Sequence, residues 1–525
     1  MYWWDIASRT VGSGTTRRLG FITTNSITQV FNRSVIEHTP AELAFAIPDH
    51  PWVDGTDGAD VRIAMTVAAR SPANRTIAVV RSETLVPEGY GASVVELTLD
   101  HPERINSDLS GGIDLAKAAQ LKANADLAVQ GMNPLGLGFR LNANDLERLA
   151  ISPTNLPPHL HKYLIGRDLV GRHEAKWVID FYGLTEREAE TASPRLFQHL
   201  LDNVKPERDQ NRRKTRRENW WLFGENAPTL RNGLRGLERA IATCRTAKHR
   251  VFTFVPSTTV LDAKIIGIAL DNSYHLGVLS SKIHRVWALR TGGWLGVGND
   301  SNYNHSDCFG KFPFPSDVPA ALVERLQSEA DALDVLRKRV LAEHPDLTLT
   351  KLYNVLDALR ESRPLTDTER EIHDRGLVAL IRRHHDAIDA AVAEAYGWPV
   401  DLPQGEILTR LVALNRERAA EEAHSLIRYL RPEFQDPGCR APINETLDLG
   451  EAVAAMPDNI IAWPKDLPAQ IGAVQSILSN SREPLAVQDI ARAFKGKRAA
   501  TVRPVLDALA GVGLARRAGE GKYAA

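Results

Sequence analysis

Cysteine is scarce in this sequence, and its cysteines are far apart. The 525 residues contain three, Cys244, Cys308 and Cys439, and no Cys-x-x-Cys pair. Structural zinc is held by closely spaced thiolate and imidazole groups, so the pattern argues against a zinc ribbon. A small, odd number of cysteines also argues against a disulfide framework and favours a reducing cytoplasm.

Long apolar runs and an excess of either charge are also lacking. No stretch reaches the roughly 18 apolar residues that a membrane helix needs, and the N-terminus lacks the basic and apolar regions of a signal peptide. The formal net charge is −1, so the whole-chain charge indicates no partner. We therefore expect a cytoplasmic protein without membrane contact, and any nucleic-acid surface must be local.

A composition of 43% hydrophobic and 25% charged residues is ordinary for a soluble protein, and 525 residues predict several domains. Over residues 1–135 helix-like and strand-like runs alternate. A helix at Val30–Glu37 between two short apolar strands indicates a βαβ unit, and hence an α/β sheet with parallel strands. The turn cluster "AARSPANR" predicts a hairpin, so the sheet should close on antiparallel strands. The predicted strands are Leu19–Thr23, Leu43–Ile47, Val61–Val67, Thr76–Val80 and Ser93–Leu99.

The rest of the chain divides into four parts by pattern. Residues 136–318 combine short strands with long irregular links and predict an α+β domain. Residues 319–432 are helical, and one long amphipathic helix should begin at the capping box of Thr366 and Glu369. Residues 433–469 carry proline at short intervals and predict a linker. Residues 470–525 predict a winged helix, because a strand, a turn and a second strand follow the expected helices Ile471–Leu478, Val487–Phe494 and Thr501–Leu509.

The first stretch that could carry function is "KPERDQNRRKTRRENWW", residues 205–221. It holds seven Lys or Arg against three Asp or Glu, and ends in Trp220 and Trp221. Guanidinium groups bind phosphate and guanine edges bidentately, so arginines beside an aromatic pair suit a nucleic-acid surface. The alternative is a solvated loop whose two tryptophans pack inward.

The second stretch is "LRTGGWLGVGNDSNYNHSDCFGKFPFP", residues 289–315. Its glycines do not match the Gly-x-Gly-x-x-Gly pattern of a dinucleotide site. Asparagine reads adenine edges in the major groove, so polar and aromatic groups on this loop could contact bases. For "FPFP" itself we expect a structural turn.

Three further features are weaker. Residues 486–525 hold eight Lys or Arg against three Asp or Glu, which suits DNA, although many winged helices bind protein. His384 and His385 are adjacent on a helix and point about 100° apart, so we expect surface or interhelical polar residues rather than metal ligands. The segment "GLERAIATCRTAKHR", with Cys244 near His249, predicts a basic helix.

Several long segments resemble MmeI-like type IIG restriction–modification enzymes, and together they cover most of residues 1–435 in the family's order. "RRLGFITTNSITQVFNR", "AFAIPDHPW" and "GADVRIAMTVA" resemble the second half of the methyltransferase domain. "AKHRVFTFVP", "IALDNSYHLGVLSSKIHRVWAL" and "NYNHSDCFGKFPFP" are similar to the target recognition domain. "AYGWP" and "LVALNRERAAEEAHSLIRYLRPEFQ" resemble the helical C-terminal region.

The resemblance implies methyl transfer from S-adenosylmethionine to N6 of an adenine flipped out of duplex DNA. The fold it implies is an incomplete Rossmann-like methyltransferase sheet followed by a target recognition domain, a helical region and a winged helix. The sequence lacks the family's acidic, glycine-rich cofactor loop and its Asn-Pro-Pro-Tyr/Phe loop; "NLPP" at 155–158 comes too late, and "VGSG" at 11–14 looks like a turn. We therefore expect the chain to begin just after the catalytic loop, with helix Met1–Val11 burying Tyr2, Trp3 and Trp4. No catalytic or cofactor-binding residue is assigned, and S-adenosylmethionine is expected to bind the complete enzyme but not this chain alone.

What the resemblance leaves to this chain is recognition of double-stranded DNA. Three possibilities remain open: a truncated methyltransferase, a separate specificity subunit that works with a catalytic chain, or a winged-helix DNA-binding regulator. The predicted DNA contacts are Arg212, Arg213, Lys214, Arg216, Arg217, Lys282, Arg285, Trp294, Asn299, Tyr303 and Asn304.

Overall fold

A computed structural model describes most of the chain, and it divides into two units, Met1–Ala441 and Pro442–Ala525, each treated by itself below. The described residues are 1–28, 30–52, 61–85, 93–115, 118–171, 175–295, 300–438, 463–464, 467–479, 485–494, 499–511, 515–517 and 522–524.

A five-stranded sheet forms the beginning of the first unit, and each predicted strand is present. The helix predicted at Val30–Glu37 is confirmed at those residues. The sheet order is β1-β3-β2-β4-β5. Its elements are α1 (Tyr2–Gly12), β1 (Arg18–Thr24), α2 (Val30–Glu37), β2 (Glu42–Trp52), β3 (Val61–Ala69), β4 (Thr76–Leu85) and β5 (Ser93–Asp100).

The pairing within this sheet differs from the expectation of parallel neighbours and a hairpin. β1 and β2 do not pair, because β3 lies between them and is antiparallel to both. β2 pairs in parallel with β4, with Phe45 opposite Thr76, and β4 is antiparallel to β5. The turn after β3 reverses the chain as predicted. It does not form a hairpin, because β2 already occupies the edge of β3 that β4 would need.

The helix α1 begins with three aromatic residues, and only one of them, Trp4, packs on this sheet. Trp4 is buried, its ring lies 5.7 Å from that of Phe21, and its Nε1 donates to Thr39 Oγ1 at 3.4 Å. The expectation that Tyr2 and Trp3 are also buried is wrong, since they are 69% and 70% exposed. Successive residues on a helix point about 100° apart, so one packed face cannot take all three rings.

The middle of the unit contains short strands and helices around two hydrophobic cores. The sheets have the orders β12-β10-β14-β6, β13-β8-β9-β7 and β11-β16-β15. The elements are β6 (Ala128–Gln130), β7 (Arg140–Leu141), α3 (Ala143–Arg148), β8 (Leu160–Leu164), α4 (Gly166–Val170), β9 (Trp177–Ile179), α5 (Glu186–Ala192), α6 (Pro194–Asn203), α7 (Lys205–Asp209), α8 (Lys214–Glu218), α9 (Pro228–Leu234), β10 (Arg239–Cys244), β11 (Thr246–Ala247), β12 (Thr253–Pro256), β13 (Val260–Leu261), β14 (Ile265–Ile268), α10 (Ser273–Ser280), α11 (Lys282–Thr291), β15 (Gly293–Leu295) and β16 (Asp300–Asn302).

Long helices follow, and they share a core with the preceding region. Phe252, Trp287 and Phe312 lie in the same buried cluster as Leu352 and Ile388. A second cluster is formed within residues 132–265. The helices are α12 (Ala320–Glu343), α13 (Leu349–Arg360), α14 (Asp367–Arg375), α15 (Val378–Ala395), α16 (Gln404–Ala423) and α17 (Pro432–Gln435).

The capping box of Thr366 and Glu369 is confirmed, but the helix that it begins is short. α14 ends at Arg375, and a second helix, α15, starts at Val378 after Leu377 adopts a left-handed conformation with φ 49°. Gly376 lies against α13 at this break. A Cβ on Gly376 would be 2.3 Å from Leu352 Cδ2, so the close approach of the chain to α13 requires glycine there.

The second unit has its own hydrophobic core. Its described sheet has the order β17-β19-β18, and the predicted helices are present with slightly different bounds. Val474, Ile490, Phe494, Leu506 and Tyr523 are buried together. The elements are α18 (Leu467–Ser479), β17 (Leu485–Ala486), α19 (Val487–Arg492), α20 (Ala499–Gly511), β18 (Arg516–Arg517) and β19 (Lys522–Ala524). In neither unit is a described helix both long and apolar enough to cross a membrane.

Candidate nucleic-acid interface

The basic segment 205–221 is anchored by one buried arginine. Arg208, on α7, is 1% exposed, and its Nη2 donates to Pro134 O at 2.7 Å and to Leu222 O at 3.3 Å. Its guanidinium lies 5.5 Å from the ring centroid of Phe139. Burial lowers the pKa of Arg208, and the positive charge of Arg216 nearby lowers it further. Arg208 therefore holds the segment on the protein, and Lys205 on the same helix pairs with Asp209 at 3.0 Å.

The two tryptophans at the end of the segment also serve as anchors. Trp220 and Trp221 are 3% and 7% exposed. The Nε1 of Trp220 donates to Glu186 Oε1 at 2.9 Å, and the Nε1 of Trp221 donates to Leu184 O at 3.0 Å. The alternative that both rings pack inward is confirmed. These rings therefore cannot stack on bases, and they fix the base of a charged surface.

The remaining cations of the segment face solvent. We define the arginine loop as Arg212, Arg213, Lys214, Arg216 and Arg217. Arg216 is half-buried and the other four are exposed. Arg217 Nη1 donates to the carbonyl of Asn211 at 2.6 Å, which ties α8 to the chain before it. Lys214 pairs with Glu218 at 3.5 Å, and among the described residues the four arginines form no ion pair. Most of the loop's charge is thus uncompensated.

The second predicted group of cations, Lys282 and Arg285, lies on α11. Lys282 Nζ donates to Leu402 O at 3.0 Å. Arg285 is half-buried, and burial together with the positive charge of Arg360 lowers its pKa, while Asp389 and Asp357 are the carboxylates nearby. α11, which carries both cations, packs on α15 and α16, whereas α8 packs on α7. The two predicted groups therefore lie on different parts of the fold.

The prediction that Tyr303 contacts DNA is wrong. The side chain is 1% exposed, and its hydroxyl lies 3.0 Å from His284 Nε2, also buried. Burial raises the pKa of Tyr303 well above its usual value. Asn304 is half-buried and caps the following helical turn, with its amide donating to Asp307 Oδ2 at 2.7 Å. Asn299 lies outside the described residues, as does the side chain of Trp294.

A basic group that the sequence did not predict as a DNA surface lies around the end of β10. The expected basic helix over 236–250 is wrong: Arg239–Cys244 is a strand that pairs with β12 on one side and β14 on the other. Its side chains are buried from Ala240 to Cys244, and this sheet position favours Ile241 and Thr243, which are β-branched. Tertiary pairing thus overrides the helical preference of the flanking residues.

We define the strand-turn patch as four exposed cations in this region, Arg167, Arg245, Lys248 and Lys264. The backbone N–H of Arg245 donates to Lys264 O at 2.8 Å, and the Cys244 thiol donates to Gly166 O at 2.9 Å. These bonds bring the turn, β14 and α4 together. No ion pair with another described residue involves any of the four, so the patch adds to the exposed positive charge of the first unit.

The patch and the arginine loop are connected through one short segment. Arg245 Nη1 lies 3.4 Å from Gln130 Oε1, at the end of β6. Four residues further along the chain, the carbonyl of Pro134 accepts the bond from Arg208 that anchors α7. The sequence signal for the patch is the "RTAKHR" run at 245–250. It predicts exposed cations in a turn only if the preceding residues are recognised as a strand.

The glycine turn and the paired histidines that the sequence singled out have structural roles in the fold. The "VGSG" segment ends α1 and turns into β1, with Gly14 at φ +82° and the Ser13 hydroxyl donating to Thr10 O, which confirms the predicted turn. No group of three or more metal-ligating side chains occurs in the described part of the chain. His384 and His385 bond to Glu329 and Tyr353, which confirms them as interhelical polar residues.

The fold is similar to that of a type IIL restriction–modification enzyme, MmeI, whose structure was determined in complex with DNA. The TM-score is 0.62 at 16% identity, over 80% of this chain and 52% of that one. A type IIG restriction endonuclease, BpuSI, matches with a TM-score of 0.25 at 10% identity, over 72% of this chain and 48% of that one. The chain spans about half the length of each. Comparisons with protein-family models and with curated proteins give no match.

Proposed function

We propose that this chain is the sequence-specific DNA-recognition part of a restriction–modification enzyme that methylates adenine at N6. The observation that carries the proposal is the arginine loop, five cations held at the surface by buried Arg208, Trp220 and Trp221. The fold likeness to MmeI supports the same class of partner, because that enzyme's structure contains DNA.

In this proposal the arginine loop and the strand-turn patch contact the phosphate backbone. Phosphate contacts supply most of the affinity and set the register of a protein on a duplex, while base contacts supply sequence preference. A planar guanidinium can bind phosphate oxygens bidentately, so arginine suits this role better than lysine. The rigid attachment of the loop keeps its charges in place without DNA, which reduces the entropy lost on binding.

The proposal assigns no step of methyl transfer to this chain. Its 525 residues contain no Asn-Pro-Pro-Tyr/Phe loop, and "VGSG" at 11–14 lacks the acidic partner of a cofactor loop. We propose S-adenosylmethionine as the cofactor of the complete enzyme, where it supplies the methyl group. The residues that bind the cofactor and the target adenine then come from a catalytic part, which a separate chain could carry.

The experiment is a titration of fluorescently labelled duplex DNA by anisotropy, at salt concentrations from about 50 to 200 mM. We expect affinity for DNA to fall steeply with salt in the wild-type chain. The double variant Arg213→Glu/Arg216→Glu should bind more weakly, and the slope of log affinity against log salt should decrease by about 2, because two phosphate contacts are lost.

The matched control is Arg383→Glu/Arg416→Glu, which makes the same charge change at exposed positions of α15 and α16. It should keep the wild-type slope. Binding that does not depend on salt, or an equal loss in both double variants, would overturn the assignment of the arginine loop.

A second candidate, a winged-helix DNA-binding regulator, is favoured by the second unit. Three helices are followed by a strand pair that joins β17 in one antiparallel sheet, as a winged helix requires. Arg503 and Lys522 are exposed on α20 and β19. If the double variant Arg503→Glu/Lys522→Glu loses DNA binding while Arg213→Glu/Arg216→Glu keeps it, this candidate replaces the first.

A further inference from the structure

A large cleft in the first unit is lined by none of the cations assigned to DNA. Its volume is about 750 Å³. One wall comes from β8, α4 and β9, and the other comes from β12 and from α12 and α13. Tyr163 and Trp177 on the first wall belong to one hydrophobic core, and Phe254 and Leu349 on the second wall belong to the other. The cleft is therefore a seam between the two cores.

The walls of the cleft are mostly apolar and carry several cationic side chains. Leu164, Leu169, Val255, Leu341 and Leu347 supply aliphatic surface beside the aromatic rings. Lys162, Lys176, Arg337 and Lys338 also line the cleft, against one carboxylate, Asp168. A volume between about 300 and 1,000 Å³ with mostly apolar walls and a few polar groups is typical of small-molecule sites.

The cations of the cleft are not equally available to a ligand. Lys176 pairs with Asp168 at 3.2 Å. Arg337 is 2% exposed and donates to Phe252 O at 2.7 Å, and Lys338 pairs with Asp334 at 2.6 Å. Lys162 is exposed, and no described residue forms an ion pair with it. Its ammonium is the group most free to meet an anion.

We propose that this cleft binds a small amphiphilic anion, with an apolar body between the two walls and a single carboxylate or sulfonate beside Lys162. Burial of a hydrocarbon or aromatic body between the apolar walls would stabilise the complex by about 25 cal/mol per Å² of apolar area removed from water. The excess of positive charge selects an anion over a neutral or cationic molecule of the same shape. A duplex does not fit, because its phosphates need an open, polar surface.

The probe is anilinonaphthalene sulfonate, which has an aromatic body and one sulfonate. We expect saturable binding to the native full chain with one site, detected by an increase in the dye's fluorescence. Naphthalene-2-sulfonate should displace the dye, and neutral 2-methylnaphthalene at the same concentration should displace at least fivefold less. Since the ligand binds only the folded chain, the thermal midpoint should rise with naphthalene-2-sulfonate concentration.

Two variants and one control locate the site. Lys162→Glu should weaken dye binding about tenfold or more, and Arg383→Glu, the same charge reversal at an exposed cation of α15 outside the cleft, should leave it unchanged. Leu341→Trp, at a half-buried position of the wall, should fill the cleft and abolish binding. Circular dichroism checks that each variant is folded, and if Leu341→Trp is not, Lys162→Glu still decides. Non-saturable binding, or equal binding by Lys162→Glu and wild type, would overturn the proposal.

Discussion

Asn415, on α16, forms a reciprocal pair of hydrogen bonds with the backbone of Ala119. Its Oδ1 accepts from the Ala119 N–H at 2.8 Å, and its Nδ2 donates to the Ala119 carbonyl at 2.9 Å. The same Nδ2 donates to Lys311 O at 2.7 Å, and the side chain is 0% exposed. One amide therefore satisfies three backbone groups from two distant segments that have no strand partner of their own.

Asn415→Ala should lower the free energy of unfolding by about 1–3 kcal/mol, because it leaves three partly buried backbone groups without their protein partner. The measurement is a denaturant titration followed by circular dichroism. Arg416→Ala changes the exposed neighbour on the same helix and should alter stability by less than about 0.5 kcal/mol. Similar values for the two variants would mean that water replaces the Asn415 bonds.

Tyr303→Phe separates stability from DNA binding. The variant removes the hydroxyl that pairs with His284, whose Nδ1 already has no partner among the described atoms. We expect a loss of about 1–3 kcal/mol in the free energy of unfolding, because a buried imidazole is left unsatisfied. Affinity for DNA and its salt slope should remain as in wild type, measured by anisotropy under conditions where both proteins are folded. A changed slope would restore Tyr303 to the interface.

His275 should make the stability of the first unit depend on pH. Burial lowers its pKa from 6.5 to about 4. Because the unfolded chain takes up the proton first, the contribution of His275 is fully present above pH 6.5 and is lost as the pH falls toward 4. The difference between these two pKa values corresponds to a loss of about 3 kcal/mol in the free energy of unfolding. His275→Phe should show a smaller fall in unfolding free energy between these pH values than wild type does. An equal fall would place the effect on the other buried histidines.

Two glycines of the helical region, Gly376 and Gly405, should respond to alanine in opposite directions. Gly376→Ala places a Cβ 2.3 Å from Leu352 Cδ2 at the break between α14 and α15, so we expect a loss of about 1–3 kcal/mol from overpacking. Gly405, in the first turn of α16, has open space around its Cβ position. Gly405→Ala should raise stability by about 0.4–1 kcal/mol, because alanine loses less backbone entropy. Thermal unfolding of both variants beside wild type makes the comparison, and a loss at both positions would contradict it.

The local sequence pattern was sufficient to predict the strands and the helix of the first sheet, but not which strands pair with each other. Each strand of the first sheet follows from a short apolar run, and α2 follows from helical spacing. The insertion of β3 between β1 and β2 does not, because partner choice depends on which faces and edges are buried after the whole sheet forms. The strand at Arg239–Cys244 was missed for the same reason: its pairing with β12 and β14 outweighs the charged residues beside it.

The sequence predicted the positive charge of the segment 205–221 but could not separate buried anchoring residues from exposed cations. Arg208 and Arg213 are five residues apart in one basic run, yet the first is 1% exposed and the second is exposed to solvent. Burial follows from the carbonyls of Pro134 and Leu222, which approach Arg208 from elsewhere in the chain. The same limit applies to Tyr303, since an aromatic residue on a polar loop has no sequence mark that separates a base-stacking ring from a core ring.

Residues 252–314 and the long helices share one hydrophobic core, and this limits the positions at which the chain can be joined to a related protein in a chimera. In a chimera joined at residue 318, the two halves of this core would come from different parents, and their side chains would not fit each other. The packing is tight at this junction, because a Cβ added to Gly277 on α10 would be only 2.7 Å from Leu326 on α12. An exchange that tests the proposed DNA recognition should therefore carry the helices through α16 together with the strands β6 to β16. The smallest part that can be exchanged contains both these strands and the helices that share their core.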